Sequence, residues 1–219
     1  MHKKFFMLAL LMSVVLVFFG GCTAVRGRGP VASRDYEVAS FTEVSTGGSN
    51  TVIFRQSENY ALTIEMHENL FEHITPHVQN GVLTIRFNNA VNVNHGNNSP
   101  RIYVYAPSLE GINLSGSVST EDWDSINAEN FSINASGSSK VDIPLEADSV
   151  NIRASGSARV NLTGNASSAN VNASGSSRVD LAVSDSLNIT ASGSGRVTYT
   201  GSPVVSQSTS GSARVQSAN

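Results

Sequence analysis

The chain has one cysteine, six prolines, one tryptophan and only 14% charged side chains in 219 residues. A single cysteine excludes a disulfide framework and a cysteine-based zinc site. Basic residues are scarce as well. Once a leader carrying Lys3 and Lys4 is removed, 12 Lys and Arg face 17 Asp and Glu, which leaves no basic surface for nucleic acid. The glycine- and aspartate-rich nonapeptide that binds calcium is absent. His67-Glu68 opens like a zinc-protease helix, but Phe71 stands where the second histidine would be needed. Low charge with much Ser, Asn and Gly would suit a disordered chain, were it not for the strict recurrence of aliphatic residues.

The first stretch is an address. Lys3 and Lys4 precede an apolar run from Phe5 to Phe19, followed by Gly20, Gly21 and Cys22. Basic start, apolar middle and small-residue end make a signal peptide over 1–21. The run is too short, at about 22 Å as helix, for a ~30 Å hydrocarbon core. Cys22 after two glycines resembles a bacterial lipobox, which implies lipidation of Cys22 as the new N-terminus. Thr23 in place of Asp implies sorting to the outer membrane in a two-membrane cell. Residues 22–35, with Gly27, Gly29 and Pro30, read as a lipidated cysteine and flexible tether.

The second feature is a repeat. Ser-Gly-Ser recurs at 115–117, 136–138, 155–157, 174–176, 192–194 and 210–212, with central glycines stepping by 21, 19, 19, 18 and 18. One small residue, a base and Val follow the later triplets: Lys140-Val141, Arg159-Val160, Arg178-Val179, Arg196-Val197 and Arg214-Val215. Before the triplets lie alternating runs such as Val150-Asn-Ile152-Arg-Ala154 and Leu187-Asn-Ile189-Thr-Ala191. Period two means strand with one apolar face. Each repeat therefore reads as strand, corner, strand and polar loop. One repeat cannot bury its apolar face alone, so the repeats stack. The expected fold is all-β: a right-handed parallel β-helix with coils of about 18–21 residues. Each corner glycine is expected at positive φ, or where no Cβ fits. In the last coil Gln207 and Thr209 replace Ile189 and Ala191, as a terminal coil requires.

Residues 36–219 form one domain, with 115–219 carrying the triplets and 36–114 supplying irregular opening coils and a cap. Thr51-Val-Ile-Phe54, Tyr60 to Ile64, Val82 to Ile85 and Ile102 to Tyr105 are strand-like, and Asn80-Gly81 marks a hairpin. Glu68 to Ile74 reads as a helical turn, and Asn88 to Ser99 as a long exposed loop.

"NGVLTI" at 80–85, "RIYVYAPSLEGINLSGS" at 101–117 and the recurring "ASGSxRV" resemble the head GIN domain of auto-transporter adhesins, a family of unknown function. The likeness runs from about Phe41 to Val215. It implies a right-handed parallel β-helix on the bacterial cell envelope and carries no catalytic residues. An auto-transporter needs a membrane barrel with alternating strands of about 10 residues. None precedes Asn219, so a lipid anchor is expected to hold the protein.

The candidate site is the ladder Lys140, Arg159, Arg178, Arg196 and Arg214. It reads either as a solvated face or as a stripe for an anionic glycan, a lipopolysaccharide phosphate or an envelope protein. Residues 131–219 carry six bases and five acids, whereas 23–130 carry six and twelve. Asp142 and Asp180 fall two coils apart, and pairing with the neighbouring bases is the simpler reading than a glycosidase pair. His73 and His77 have helical spacing broken by Pro76 and read as surface histidines. No catalytic residue, metal or cofactor is expected, and self-association is expected to be weak at most. The leading reading is a non-enzymatic envelope lipoprotein with an adhesive or scaffolding solenoid. A polysaccharide-binding or polysaccharide-cleaving β-helix and a periplasmic signalling accessory are the alternatives.

Overall fold

The computed structural model describes residues 24–87, 92–95 and 98–218, so expectations about Cys22 and the run before it lie outside the described residues. The strands begin with β1 (Ala24–Arg26), β2 (Val31–Tyr36), β3 (Glu43–Gly48), β4 (Thr51–Gln56) and β5 (Ala61–His67). A 3₁₀ turn over Glu68–His73 fills the place of the expected helical turn. Next come β6 (His77–Gln79), β7 (Val82–Ile85), β8 (Asn92–Asn94), β9 (Arg101–Ala106), β10 (Gly111–Gly116) and β11 (Ser119–Thr120). The regular part holds β12 (Ile126–Ala135), β13 (Lys140–Ala154), β14 (Arg159–Ala173), β15 (Arg178–Ala191), β16 (Arg196–Thr200), β17 (Val204–Thr209) and β18 (Arg214–Ser217).

Together they build a parallel β-solenoid of about six turns with coils of about 19 residues. Alternation decides the interior. Ile133, Ile152, Val171 and Ile189 pair in register from coil to coil and are all buried. On the limb after the corner Val141, Val160, Val179 and Val197 do the same. Gln207 pairs with Ile189 and Thr209 with Ala191, and both polar residues are exposed.

Each Ser-Gly-Ser is a corner, and its glycine is held there by two independent constraints. Gly137, Gly156, Gly175, Gly193 and Gly211 have φ between +69° and +74°. A Cβ on any of them would also lie 2.6–2.9 Å from the carbonyl oxygen of the glycine one coil earlier. Gly48 and Gly116 extend the same column into the irregular part. The ladder does not break at the corner: Ser138, Ser157, Ser176, Ser194 and Ser212 each donate an amide hydrogen bond of 2.7 Å to the glycine carbonyl of the previous coil.

Three expectations are corrected. The polar loops between repeats are absent at β13, β14 and β15, which run unbroken from one limb to the next. Coils of equal length give the residues of the bend partners one coil on, Asp148 excepted, as Leu145 has in Gly164 and Ala147 in Ala166. The step from 19 to 18 residues is absorbed by register shifts between Asn161 and Ser168. The expected tether is also not loose from Ala24 on. β1 pairs with β8 in parallel, and β2 pairs antiparallel with β5, whose free edge needs covering. By the same pairing Asn92–Asn94 of the expected loop is a strand, and His95 beside it is buried.

Chain order and stacking order differ in the opening turns. The turn made by β3 and β4 lies between the turn holding β7 and β9 and the turn holding β10 and β11. At this end β2 and β5 cap the limb that leads to β18.

Candidate functional site: a cation ladder

The limb after the corner positions the basic residues. Position one of each later strand faces out because the valine after it must face in. Lys140 pairs with Arg159, Arg159 with Arg178, Arg178 with Arg196 and Arg196 with Arg214. All five are exposed. Neighbouring rungs about 4.8 Å apart repel by roughly 1 kcal/mol in water, a cost that splaying of the long side chains reduces. Among the described residues no ion pair involves any of the five; the paired cations there are Arg55 and Arg101.

The expected partners are elsewhere. Asp142, Asn161 and Asp180 form the next outward column in register. Asn161 Nδ2 donates to Asp142 Oδ1 at 2.9 Å, so the amide rather than a base holds that carboxylate. Asn161 also separates the two aspartates by a rung.

The column reaches further than the repeat shows. Ser119 pairs with Lys140 and Thr51, and Thr51 pairs with Arg101. Sequence reading missed this continuation because Arg101 and Thr51 belong to turns stacked out of chain order. Arg101 differs from the ladder in being paired: it donates to Glu121 at 2.8 Å and lies beside Tyr103. Free positive charge therefore begins at Lys140. At the other end Ser194, Gly195, Arg196, Ser212 and Arg214 line an open hollow of about 240 Å³.

The opposite limb is mixed: Arg86 and Arg153 line a hollow of about 220 Å³ there, and amide ladders run beside it. Asn113 Nδ2 donates to Glu43, Asn134 Nδ2 donates to Asn113, and Asn188 Nδ2 donates to Asn170. A groove of about 620 Å³ on this limb has Glu43, Glu110 and Glu129 in its walls and no cation.

The histidines do not assemble. His73 contacts Glu72 at 3.3 Å and His77 is exposed on β6. Among the described residues no three His, Cys, Asp or Glu side chains are grouped to hold a metal ion.

No curated protein sequence matches this chain. Its fold is similar to that of three crystal structures. A "putative adhesin" from Bacteroides fragilis is 22% identical, with a TM-score of 0.74, over 89% of this chain and 99% of that one. A "putative lipid binding protein" from Parabacteroides distasonis is 20% identical, with a TM-score of 0.65, over 90% and 100%. A "putative adhesin" from Parabacteroides merdae is 19% identical, with a TM-score of 0.58, over 90% and 100%. Residues 40–218 match the family model described as "Putative auto-transporter adhesin, head GIN domain". With its stacked coils and that match over most of its length, the chain belongs to the head GIN domain family of auto-transporter adhesins.

Proposed function

We propose that this is a non-enzymatic protein of the cell envelope, held by lipid on Cys22, whose cation ladder binds anionic glycan. The observation that carries the reading is the register of five exposed cations, none of them ion-paired among the described residues. An extended polyanion lying along the coil axis meets a positive charge about every 4.8 Å. Each contact is weak in water, and affinity comes from engaging several rungs at once. Polysaccharide cleavage requires acid and base groups converging on one bond. The ladder offers one charge type, and Asn161 keeps Asp142 and Asp180 apart.

The test is the triple variant Arg159→Ser, Arg178→Ser, Arg196→Ser, assayed on anionic glycan arrays and on whole cells. Binding is expected to fall with salt in the wild type and to be lost in the variant. Wild-type binding by a folded variant at low salt reduces the ladder to a solvated face. Turnover of a polysaccharide that Asp142→Asn or Asp180→Asn abolishes makes the protein an enzyme instead.

A further inference from the structure

The segment from Ala24 to Gly29 is fastened into the fold by a clasp. Gly27 donates its amide to the Asn94 carbonyl at 2.8 Å, extending the pairing of β1 with β8. Asn69, on the 3₁₀ turn, grips both sides of Gly27: its Nδ2 donates to the Arg26 carbonyl at 3.0 Å, and its Oδ1 accepts from the Arg28 amide at 2.7 Å. His67 Nδ1 lies 2.9 Å from the Gly29 carbonyl. A Cβ on Gly27 would lie 2.5 Å from the His67 ring, so the chain passes close over it. Val25 packs against the core. After Pro30 the chain enters β2, the edge strand of the cap.

Only Thr23 stands between Cys22 and this clasped segment. Two residues of chain span at most about 7 Å. An acyl chain buried at Cys22 therefore leaves the cap no slack. We infer that the solenoid stands on its N-terminal cap directly against the lipid headgroups, without a spacer, and carries the cation ladder outward along its axis. The inference rests on the proposed lipidation of Cys22. The contact is imposed by the covalent leash, because the charges at this end are mixed: Arg26 and Arg28 are exposed there, and so are Glu68 and Glu72.

Stacking order then sets the height of each cation. The limb runs β2, β5, β9, β4, β11, β13, β14, β15, β16, β18. Lys140 on β13 is five strand spacings from the edge strand, or about 24 Å, and Arg214 on β18 is nine, or about 43 Å. Both heights exceed the ~8 Å screening length of physiological salt. The ladder is thus held outside the field of the membrane that bears it, and its cations are not drawn down onto their own lipids.

The experiment uses full-length protein purified from membranes and reconstituted in vesicles containing acceptor-labelled headgroups. Mass spectrometry first establishes whether Cys22 is acylated. An unmodified Cys22 refutes the anchor, and the inference falls with it. With acylated protein, a donor dye is placed on Ser33→Cys in β2 or on Gln216→Cys in β18. Energy transfer to the headgroups is expected to be several-fold stronger from position 33 than from 216. A Gly/Ser insert of about 20 residues after Thr23 is expected to abolish that difference by freeing the cap. Equal transfer from both positions in the uninserted protein means the solenoid lies flat, and weak transfer from both means it floats. Either result overturns the stance while leaving the anchor intact.

Discussion

The Ser157 amide donates to the carbonyl of Gly137 at 2.7 Å, and that same oxygen lies 2.8 Å from where a Cβ on Gly156 would sit. The corner hydrogen bond and the Cβ collision therefore have one cause, the closeness of successive coils, and the positive φ is a separate demand for glycine. Gly156→Ala carries the left-handed backbone penalty and a backbone collision, together about 2–4 kcal/mol. Gly29 has φ +80° with nothing within 4 Å of its would-be Cβ. Gly29→Ala is expected to cost only the conformational part, about 1–2 kcal/mol. Denaturant melts of the two variants measure the difference.

Ser139 and Ser177 hold the inner corner position that Ala158 and Ala213 hold in other coils. Both are buried, and neither hydroxyl has a hydrogen-bond partner. A buried unsatisfied hydroxyl is a net cost. Ser139→Ala and Ser177→Ala are each expected to stabilise the protein by about 1 kcal/mol, read as a higher denaturant midpoint at unchanged slope.

Val171 and Arg178 test the two faces against each other. Val171→Asp places an unpaired charge between Ile152 and Ile189 and is expected to cost about 3 kcal/mol or more. Arg178→Ser removes a charge flanked by Arg159 and Arg196. Its effect is expected to lie within about 0.5 kcal/mol, stabilising at low salt and vanishing at high salt. Melting curves at two ionic strengths decide both.

His95 makes the cap sensitive to acid. Burial, with the nearby His67 adding to it, lowers its pKa below the ordinary histidine value of 6.5. The unfolded chain then takes up the proton first as pH falls, so this contribution is present above about pH 6.5 and is lost on acidification below it. His95→Phe keeps a ring against Phe87, 5.1 Å away between centroids, without the titration. Stability measured at pH 7.5 and pH 5.5 is expected to fall less in the variant than in the wild type.

The regular half of the fold was legible because Ser-Gly-Ser spacing and period-two alternation report one geometry twice. Ile152, Val171 and Ile189 stack inward as their alternation requires, and Arg178 lands between Arg159 and Arg196. The opening turns were not legible. Nothing local tells that Thr51 sits between Arg101 and Ser119, because that pairing joins strands far apart in the chain and out of sequence order. The strand Val31–Tyr36 was hidden for a similar reason. Only Ala32 and Tyr36 pack against the core, so its order comes from the β5 edge rather than from its own pattern. The partner of Asp142 was misread because residues two apart on one strand are farther from each other than residues facing across the ladder, where Asn161 lies.

The near-continuous pairing of β13 with β14 means that one coil is a near copy of the next in backbone path and inward alternation, with a cation at the head of each. Duplication of the stretch of gene that encodes a coil would insert a new layer whose two faces already match its neighbours. The product would gain a corner, a core layer and one more cation without any new contact having to evolve. Deletion would run the same process backwards. Binding strength in such a protein is a matter of copy number, open to change by recombination between its own repeats rather than by successive point substitutions.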